Sequence, residues 1–323
     1  SGKASGEFTA LAEYLQAPVI TTGEGRGSIS DRSYLSIGSF RFKNDKFFEN
    51  RIDDYDLIVA VGTRMAYPEF LKGQKILQID IDEEEIGRNY KNTDGIVGDA
   101  KKSLSGLLNA LKDRIPPRES REGELNALKK ERFNPATVIE PQNSYVQAIR
   151  KAIPDDGIFV SGMTQIGYYS RNKYEVYEPG TYITSSYYGN LGFAYPTALG
   201  AKVAKPEKAV VAVSGDGGFM FNVQELSTAV RHKINAVAVV FNDNAFGNVM
   251  RDQVNMYEGR EYGAKVHNPD FMKLADAFGV RGVRIQDGNP DELEKELTDS
   301  LHVDCPTLIE VPVGEMPNTF RDY

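Results

Sequence analysis

Two short apolar runs, at residues 209–213 and 236–241, stand out in the mixed pattern of the second half of the chain. Both are rich in Val and Ala and contain no polar residue. Runs of this length without alternation are typical of strands buried on both faces of a parallel sheet. Between them, Val223, Leu226 and Val230 repeat at helical spacing and predict an amphipathic helix. The pattern therefore predicts a strand–helix–strand unit.

The start of this helix carries its own signal. Asn222 can cap the first turn while Glu225, three residues later, reaches back to it, which is a capping box. The same reading of the rest of the chain adds strands at 18–22, 57–62, 75–81 and 157–160, and helices at 7–16 and 101–111. Strands that alternate with helices predict an α/β fold, here two Rossmann-like three-layer domains with largely parallel sheets.

A hydrophilic stretch punctuated by proline divides the chain. It contains Pro116, Pro117, Pro135 and Pro141 around the charged segment 118–132. We interpret its charges as a solvated linker in which 123–132 could form a short exposed helix. The domains predicted on this basis are 1–115 and 142–323, joined by a linker at 116–141. A chain of 323 residues is long enough for two domains, each with its own core.

Composition excludes several classes of function. The net charge is −8 with scattered basic residues, which argues against a nucleic-acid partner. No apolar stretch approaches the ~18 residues of a membrane span. Cys305 is the only cysteine, so an intrachain disulfide is excluded and a reducing cytoplasm fits. The three histidines are widely separated, which leaves a zinc site or a Ser-His-Asp triad almost without support.

Acidic residues follow both apolar runs. The first run leads into Ser214-Gly215-Asp216-Gly217-Gly218 and the second into Asn242-Asp243-Asn244. Ligands of open α/β sheets bind at the carboxyl ends of the strands, so both carboxylates can converge there on one hard cation such as Mg²⁺. Glycines allow backbone amides to approach an anion closely. Gly-Asp-Gly alone is usually only a turn, but the whole series predicts a magnesium–diphosphate site.

This series resembles the binding motif of the thiamine-diphosphate-dependent enzymes. The resemblance implies that the chain binds thiamine diphosphate and Mg²⁺, with Asp216 and Asp243 as ligands through their carboxylates and Ala245 through its backbone carbonyl. Phe246 and Gly247 complete the implied cofactor-binding loop. The commoner form of the second motif is Asn-Asn, so Asp243 is a departure that adds negative charge to the site.

The segment 188–196, Tyr-Gly-Asn-Leu-Gly-Phe-Ala-Tyr-Pro, resembles the one that carries the wedge residue of acetolactate-synthase-like enzymes. By this resemblance, Leu191 holds the cofactor bent, and the Gly189 carbonyl accepts a hydrogen bond from its 4′-amino group. Both are therefore predicted to be catalytic, although Leu191 could also be an ordinary core leucine. The bend brings two reacting groups together, which is a proximity effect.

The segment 161–165, Ser-Gly-Met-Thr-Gln, resembles the family's loop that contacts the diphosphate. It assigns Met163, Thr164 and Gln165 to the cofactor site, although a simple polar turn after the strand is an equally good interpretation. In the first domain, Asp80-Ile81-Asp82 and Gly98-Asp99-Ala100 resemble the closing half of the family's central domain. That domain is a six-stranded Rossmann-like fold that binds FAD or another nucleotide in some members. We favour a structural role for it here.

The resemblance covers two of the family's three domains. The pyrimidine-binding domain, which supplies the Glu that activates the cofactor, has no counterpart in this sequence. We therefore expect the chain to be a fragment of a longer polypeptide and to be inactive alone. The family also implies a homodimer or homotetramer in which subunits share the cofactor site.

Three functions remain open from the sequence. The first is acetolactate-synthase-like carboligation of 2-oxo acids, and the second is simple 2-oxo acid decarboxylation on the same fold. The third is a non-catalytic cofactor-binding fragment. Acetolactate synthases generally carry a Trp near 246–253 that shapes the acceptor pocket, and this chain has no Trp. Arg251 could pair with a substrate carboxylate or lie on a helix surface.

Overall fold

The computed structural model describes residues 2–40, 45–66, 71, 73–185 and 188–319. It confirms the α/β prediction, because every strand pair in these ranges is parallel. The described residues form two compact units. The first lies within 2–137 and 177–179, and the second within 138–176 and 180–319.

The first unit has two small parallel sheets. Its elements are α1 (Ser5–Leu15), β1 (Val19–Thr21), β2 (Ser36–Ser39), α2 (Lys46–Glu49), β3 (Leu57–Val61), β4 (Lys75–Asp80), β5 (Thr93–Val97), α3 (Ala100–Lys112) and α4 (Glu122–Arg132). Strands β1 and β2 pair with each other, and β3, β4 and β5 form a separate sheet. The described part of this unit thus differs from the single six-stranded sheet that the resemblance implied.

Helix α4 confirms the predicted helix at 123–132, but its charges are not all solvated as expected. Leu125 is fully buried in a small core with Leu35 and Val19. Arg132 is also buried and forms a bidentate ion pair with Asp45, with both N···O distances 2.8 Å. The charge pattern did not reveal this pair because its acidic partner lies far away in the sequence.

The second unit is built on one six-stranded sheet. Its strands are β6 (Ile158–Ser161), β7 (Tyr182–Thr184), β8 (Val210–Gly215), β9 (Val237–Asn242), β10 (Arg281–Arg284) and β11 (Thr307–Pro312). Its helices are α5 (Gln142–Ala152), α6 (Gln165–Lys173), α7 (Ala194–Ala204), α8 (Asp216–Met220), α9 (Glu225–His232), α10 (Gly247–Met256), α11 (Phe271–Phe278) and α12 (Pro290–Leu301). The spatial order is β10-β11-β9-β8-β6-β7.

Helices cover both faces of this sheet. The core on one face contains residues of α5, α6 and α12, and the core on the other contains residues of α7, α9 and α11. Strands β8 and β9 are buried along almost their whole length, as their uninterrupted apolar runs predict. The chain leaves β6 for one face through α6 and leaves β8 for the other through α8. Such a reversal is where open α/β sheets form their ligand crevice, at the carboxyl ends of the two strands.

The predicted capping box after β8 is wrong. The segment is not one loop and one helix, because α8 begins directly at Asp216 and α9 begins only at Glu225. Asn222 donates its side-chain amide to the Gly192 carbonyl (2.8 Å), and the Glu225 carboxylate accepts from Thr228 (2.7 Å). A contact across 30 residues has therefore displaced the local cap.

The apolar stripe of this region is confirmed. Leu226 is fully buried, and Val223 and Val230 pack against the same core. Within the described ranges, no helix is both long enough and apolar enough to cross a membrane.

Candidate functional site

The two predicted acidic residues meet at the carboxyl edge of the six-stranded sheet. Asp216 is the first residue of α8, directly after β8, and only 1% of its surface is exposed. Asp243 follows β9, the neighbouring strand, and is partly buried. Burial, and secondarily the negative charge of Asp216, raises the pKa of Asp243 to about 6. The fold therefore brings two carboxylates into electrostatic contact, as the strand pattern predicts.

Asn268 lies at the centre of this edge. Its Nδ2 atom is 2.5 Å from Asp216 Oδ2, 2.9 Å from Asn242 Oδ1 and 3.3 Å from Asn244 Oδ1. An amide nitrogen carries two hydrogens, so it cannot satisfy three oxygens fully. Burial raises the pKa of Asp216, and the hydrogen bonds from Asn268 and from backbone amides oppose that rise. Three oxygens, one of them from the buried Asp216 carboxylate, thus converge on one point.

A further shell of contacts fixes the orientation of Asn242. Its Nδ2 donates to Glu310 Oε1 (2.8 Å), so its Oδ1 faces Asn268 and Asp216. Glu310 is held in turn by Arg284, at an N···O distance of 2.6 Å. Asn242 Oδ1 also accepts from the backbone amide of Asn244, which adopts a left-handed conformation (φ 57°). The oxygens of this edge are therefore preorganised.

The loop after Asp243 is shaped around its carboxylate. Asp243 Oδ1 accepts from the Ala245 amide (3.1 Å), and a Cβ added to Gly247 would lie 2.8 Å from Asp243 Oδ2. Ala245 also forms an antiparallel bridge with Lys265. Glycine at 247 therefore leaves the carboxylate room at the start of α10, which begins at this residue.

The residues of this edge fit a hard divalent cation. Carboxylate, amide and carbonyl oxygens are the ligands that Mg²⁺ prefers. A cation also offsets the repulsion between two neighbouring carboxylates. In the described part of the chain, no group of three or more His, Cys, Asp or Glu side chains converges. A site here would consist of two carboxylates completed by neutral oxygens, by water and by phosphate.

Glycines let neighbouring side chains approach the start of α8. A Cβ at Gly217 would lie 2.3 Å from the Phe246 ring, and one at Gly218 would lie 3.6 Å from Leu191 Cδ2. A Cβ at Gly215 would lie 3.3 Å from Thr164 Oγ1. The structure thus brings the predicted residues of four separate segments together around the crevice.

Met163 and Gly189 lie side by side on the β6–β7 side of this crevice. Gly189 has a positive φ of 56°, and a Cβ there would lie 2.8 Å from Met163 Cε. Nearby, Gly192 has a φ of 80°, and a Cβ there would lie 2.6 Å from Asn222 Nδ2. The wedge segment therefore turns twice through conformations that favour glycine.

Gln165 is turned toward α10. Its side-chain amide lies against that of Asn248, whose Oδ1 accepts from Arg251 Nη1 at 2.9 Å. Arg251 Nη1 and Nη2 lie 2.8 and 3.1 Å from the Gln165 amide, whose oxygen faces them because a guanidinium only donates. Nη2 also donates to the Met316 carbonyl. Arg251 is therefore neither a bare surface arginine nor an open carboxylate receptor.

Sequence reasoning missed Asn268 and Asn248, and it assigned Asn222 only to a helix cap. Each is an isolated polar residue in a loop or at a helix start, and each contacts a segment more than 20 positions away. The His-Asn-Pro-Asp stretch around Asn268 contains a helix-start signal, because Asp270 caps α11. That signal locates the helix but not the direction of the Asn268 side chain.

Two family models match this chain. The C-terminal binding domain of thiamine pyrophosphate enzymes matches residues 162–311, and their central domain matches residues 1–107. The probable acetolactate synthase large subunit of Methanocaldococcus jannaschii is 32% identical over 96% of this chain and 55% of its own length. That of Methanococcus aeolicus is 31% identical over 96% of this chain and 56% of its own.

A third relative has a broader description. The putative thiamine pyrophosphate-containing protein YdaP of Bacillus subtilis is 26% identical over 98% of this chain and 55% of its own length. The chain thus spans about half the length of the curated relatives it matches.

Proposed function

The chain belongs to the thiamine pyrophosphate enzymes, and we propose that its second unit holds Mg²⁺ and the cofactor's diphosphate in an enzyme that acts on 2-oxo acids. The observation that carries the proposal is the convergence of Asp216, Asn242 and Asn244 on the Asn268 amide, where the neighbouring strands β8 and β9 end within the matched binding domain. Thiamine diphosphate, when bound, supplies the group that stabilises the carbanion. The chain's own residues bind it and orient it.

The metal is assigned to Asp216, Asp243 and the carbonyl of Ala245. Asn242 Oδ1 and Asn268 are preorganised beside these ligands and fix their orientation. The glycines at 215, 217 and 218 and the backbone at 163–165 and 246–247 surround the diphosphate in this proposal. Helices α6 and α10 both begin here, so their amino-terminal N–H groups favour an anion.

Leu191 and Gly189 are assigned to the reactive end of the cofactor. Leu191 lies beside Gly218, at the start of α8, and so stands next to the metal edge. In this assignment its side chain supports the bent cofactor, and the Gly189 carbonyl orients the amino group. In a protein of this family the remaining half of the pocket comes from another domain, which we propose to be shared between subunits of a homodimer or homotetramer.

Two reaction outcomes are proposed for the whole protein. In both, the bond between the carbonyl carbon and the carboxylate of a 2-oxo acid breaks and carbon dioxide leaves. Carboligation to a second carbonyl compound is favoured by the acetolactate synthase relatives. Simple decarboxylation is favoured by the absence of Trp and by the polar Asn248–Arg251 pair where an apolar acceptor pocket is expected.

The products separate these outcomes. The whole protein, supplied with Mg²⁺, thiamine diphosphate and pyruvate, should release carbon dioxide and form acetolactate. Acetaldehyde formed without acetolactate would show that the protein decarboxylates 2-oxo acids and does not join them. No carbon dioxide from pyruvate or a series of other 2-oxo acids would overturn both and leave a non-catalytic binding protein.

The metal assignment has its own test. Asp216→Ala should abolish Mg²⁺-dependent binding of thiamine diphosphate, measured by calorimetric titration with and without Mg²⁺. Asp276→Ala, on an exposed position of α11, is the matched control and should bind as the unaltered protein does. If Asp216→Ala retains Mg²⁺-dependent binding, the Asp216 carboxylate is not a ligand of the metal.

A further inference from the structure

Glu310, in β11, carries a carboxylate that is buried beside the candidate metal edge. Its side chain is only 5% exposed, and each of its two oxygens has its own partner. Oε1 accepts from the Nδ2 of Asn242 (2.8 Å), and Oε2 accepts from the Nε of Arg284 (2.6 Å). The carboxylate therefore connects an ion pair to the asparagine at the end of β9.

The sheet register puts these three residues in a row near the carboxyl ends of the strands. Arg284 is the last residue of β10 and pairs with Glu310 on the neighbouring parallel strand. Strand β11 lies between β10 and β9, and Asn242 is the last residue of β9. The row therefore leads from the edge strand of the sheet to the metal edge.

Each contact in this row has one possible polarity. A guanidinium only donates hydrogen bonds, and the carboxylate of an ion pair only accepts them. Glu310 therefore holds the Asn242 amide with its nitrogen toward β11 and its oxygen toward the metal edge. The two ends of an amide have nearly the same shape, so the hydrogen-bonding partners alone decide which way it points.

The Asn242 oxygen organises the loop that carries the proposed ligands. It accepts from the backbone amide of Asn244 (3.2 Å) and from Asn268 Nδ2 (2.9 Å). The first bond closes a turn around Asp243, and the second holds the amide that donates to Asp216. Both partners are donors, so a nitrogen in place of this oxygen would face two N–H groups.

Arg284 is itself held in place from a second direction. Its Nη2 donates to Asp270 Oδ1 (2.9 Å), and Asp270 caps α11. Asn268 precedes this cap by two residues, so one guanidinium supports both segments that meet at the metal edge. Charge-assisted bonds to two carboxylates keep the guanidinium directed at Glu310.

We infer that Glu310, held by Arg284, is a positioning residue of the proposed metal site. It sets the direction of the Asn242 amide, and through that amide it sets the course of the loop that presents Asp243 and the Ala245 carbonyl. It acts on the loop and not on the metal. The inference rests on the proposed function for the identity of the ligand.

Glu310→Gln tests the inference because it keeps the shape of the side chain but adds a donor. Arg284 should retain the oxygen of the new amide, so the new NH₂ group faces Asn242 and turns its amide over. The whole protein is titrated calorimetrically with Mg²⁺ at a fixed concentration of thiamine diphosphate. The dissociation constant of Mg²⁺ should rise about 10- to 100-fold, the range typical of residues that orient metal ligands.

The same change made with Asp at position 242 isolates the polarity of the bond. In Asn242→Asp/Glu310→Gln, the new amide donates to one carboxylate oxygen, and the other oxygen still accepts from Asn244 and Asn268. Glu310→Gln should therefore cause no loss of Mg²⁺ affinity relative to Asn242→Asp. The four proteins form a double-mutant cycle, in which an effect of Glu310 through charge or packing alone would be equal in both backgrounds.

Glu296→Gln is the matched control. Glu296 pairs with Arg281 at the other end of β10 (3.3 Å), so the same change breaks an Arg–Glu pair away from the metal edge and should leave Mg²⁺ affinity unaltered. Thermal unfolding in chelator shows whether each variant folds. If Glu310→Gln does not fold, the coupling should appear as recovery of folding in the double variant.

Two results would overturn the inference. One is a Mg²⁺ dissociation constant that Glu310→Gln leaves unchanged, and the other is a loss of affinity or of folding that is equal with Asn and with Asp at position 242. Failure of the unaltered protein to bind Mg²⁺ together with thiamine diphosphate would instead overturn the proposed function.

Discussion

Asn268 donates its side-chain amide to Asp216 Oδ2 across 2.5 Å, although 52 positions separate the two residues. The same nitrogen is within 3.3 Å of oxygens from Asn242 and Asn244. The amide thus occupies the point on which the oxygens of the candidate metal edge converge. In the metal-free protein it is the group that most directly compensates the buried Asp216 carboxylate.

Asn268→Ala should therefore destabilise the metal-free protein more than the loaded one. Loss of this bond leaves a buried carboxylate short of a donor, which costs about 1–2 kcal/mol. With Mg²⁺ and thiamine diphosphate present the loss should shrink, because a cation takes over the compensation. Urea unfolding in chelator and in saturating Mg²⁺ with cofactor measures both values.

The matched control for this variant is Asn289→Ala. Asn289 caps α12 by accepting from the amides of Asp291 and Glu292. Its loss should cost about 1 kcal/mol under both conditions. If Asn268→Ala also loses the same free energy of unfolding with and without metal, the amide is not part of a metal edge.

Gly217→Ala should disturb the loop that carries Asp243. A methyl group at 217 would lie 2.3 Å from the Phe246 ring, so the ring and its loop must move. Overpacking of this kind costs about 1–3 kcal/mol, and the stabilisation of the protein by Mg²⁺ should fall because Asp243 moves with the loop. Unfolding free energies with and without Mg²⁺ give both quantities.

Gly106→Ala is the control for the glycine effect alone. Gly106 lies on an exposed face of α3, and nothing lies within 4 Å of a Cβ there. Alanine should stabilise this helix by about 0.5–1 kcal/mol. A Gly217→Ala variant that is as stable as the unaltered protein would show that Phe246 does not pack on Gly217 in solution.

Local patterns predicted the parts of the site that depend on strand position. The apolar runs located β8 and β9, and the rule that ligands bind at carboxyl ends put Asp216 and Asp243 together. Asn268 escaped prediction because it follows α10 and a long loop, whose return path has no periodic signal. The capping box failed for a related reason, since Asn222 bonds to Gly192 rather than to its own helix.

Charged residues were harder to interpret than apolar ones. Arg132 and Arg171 both lie in helices with mixed polar sequence, where exposure is the ordinary expectation. The first is buried against Asp45, and the second is partly buried without an acidic partner in the described chain. Pairing depends on tertiary contacts, which composition and periodicity do not report.

The Arg132–Asp45 pair should be a strong stability determinant of the first unit. The side chains are only 5% and 2% exposed. Removing one partner leaves a buried charge uncompensated, so Arg132→Met or Asp45→Leu should each cost about 3–5 kcal/mol. The double variant Asp45→Leu/Arg132→Met should recover most of this loss. Urea unfolding of the four proteins forms a double-mutant cycle, and additive losses would show that the two groups are not coupled.

Asp243→Asn should change the stability of the protein in opposite directions with and without metal. In the metal-free protein, Asp243 is a partly buried carboxylate that faces the charge of Asp216, and both effects raise its pKa. Asparagine keeps the shape and removes the repulsion, so the free energy of unfolding in chelator at pH 7 should rise by about 1 kcal/mol, discounted for partial exposure.

With saturating Mg²⁺, the unaltered protein should instead be more stable than Asp243→Asn. The metal binds two carboxylates in the unaltered protein and one in Asp243→Asn, so the variant should gain less stability from each increment of Mg²⁺. Thermal unfolding across a Mg²⁺ titration should therefore give two Tm curves that cross. Curves that stay parallel would mean that Asp243 does not bind the metal.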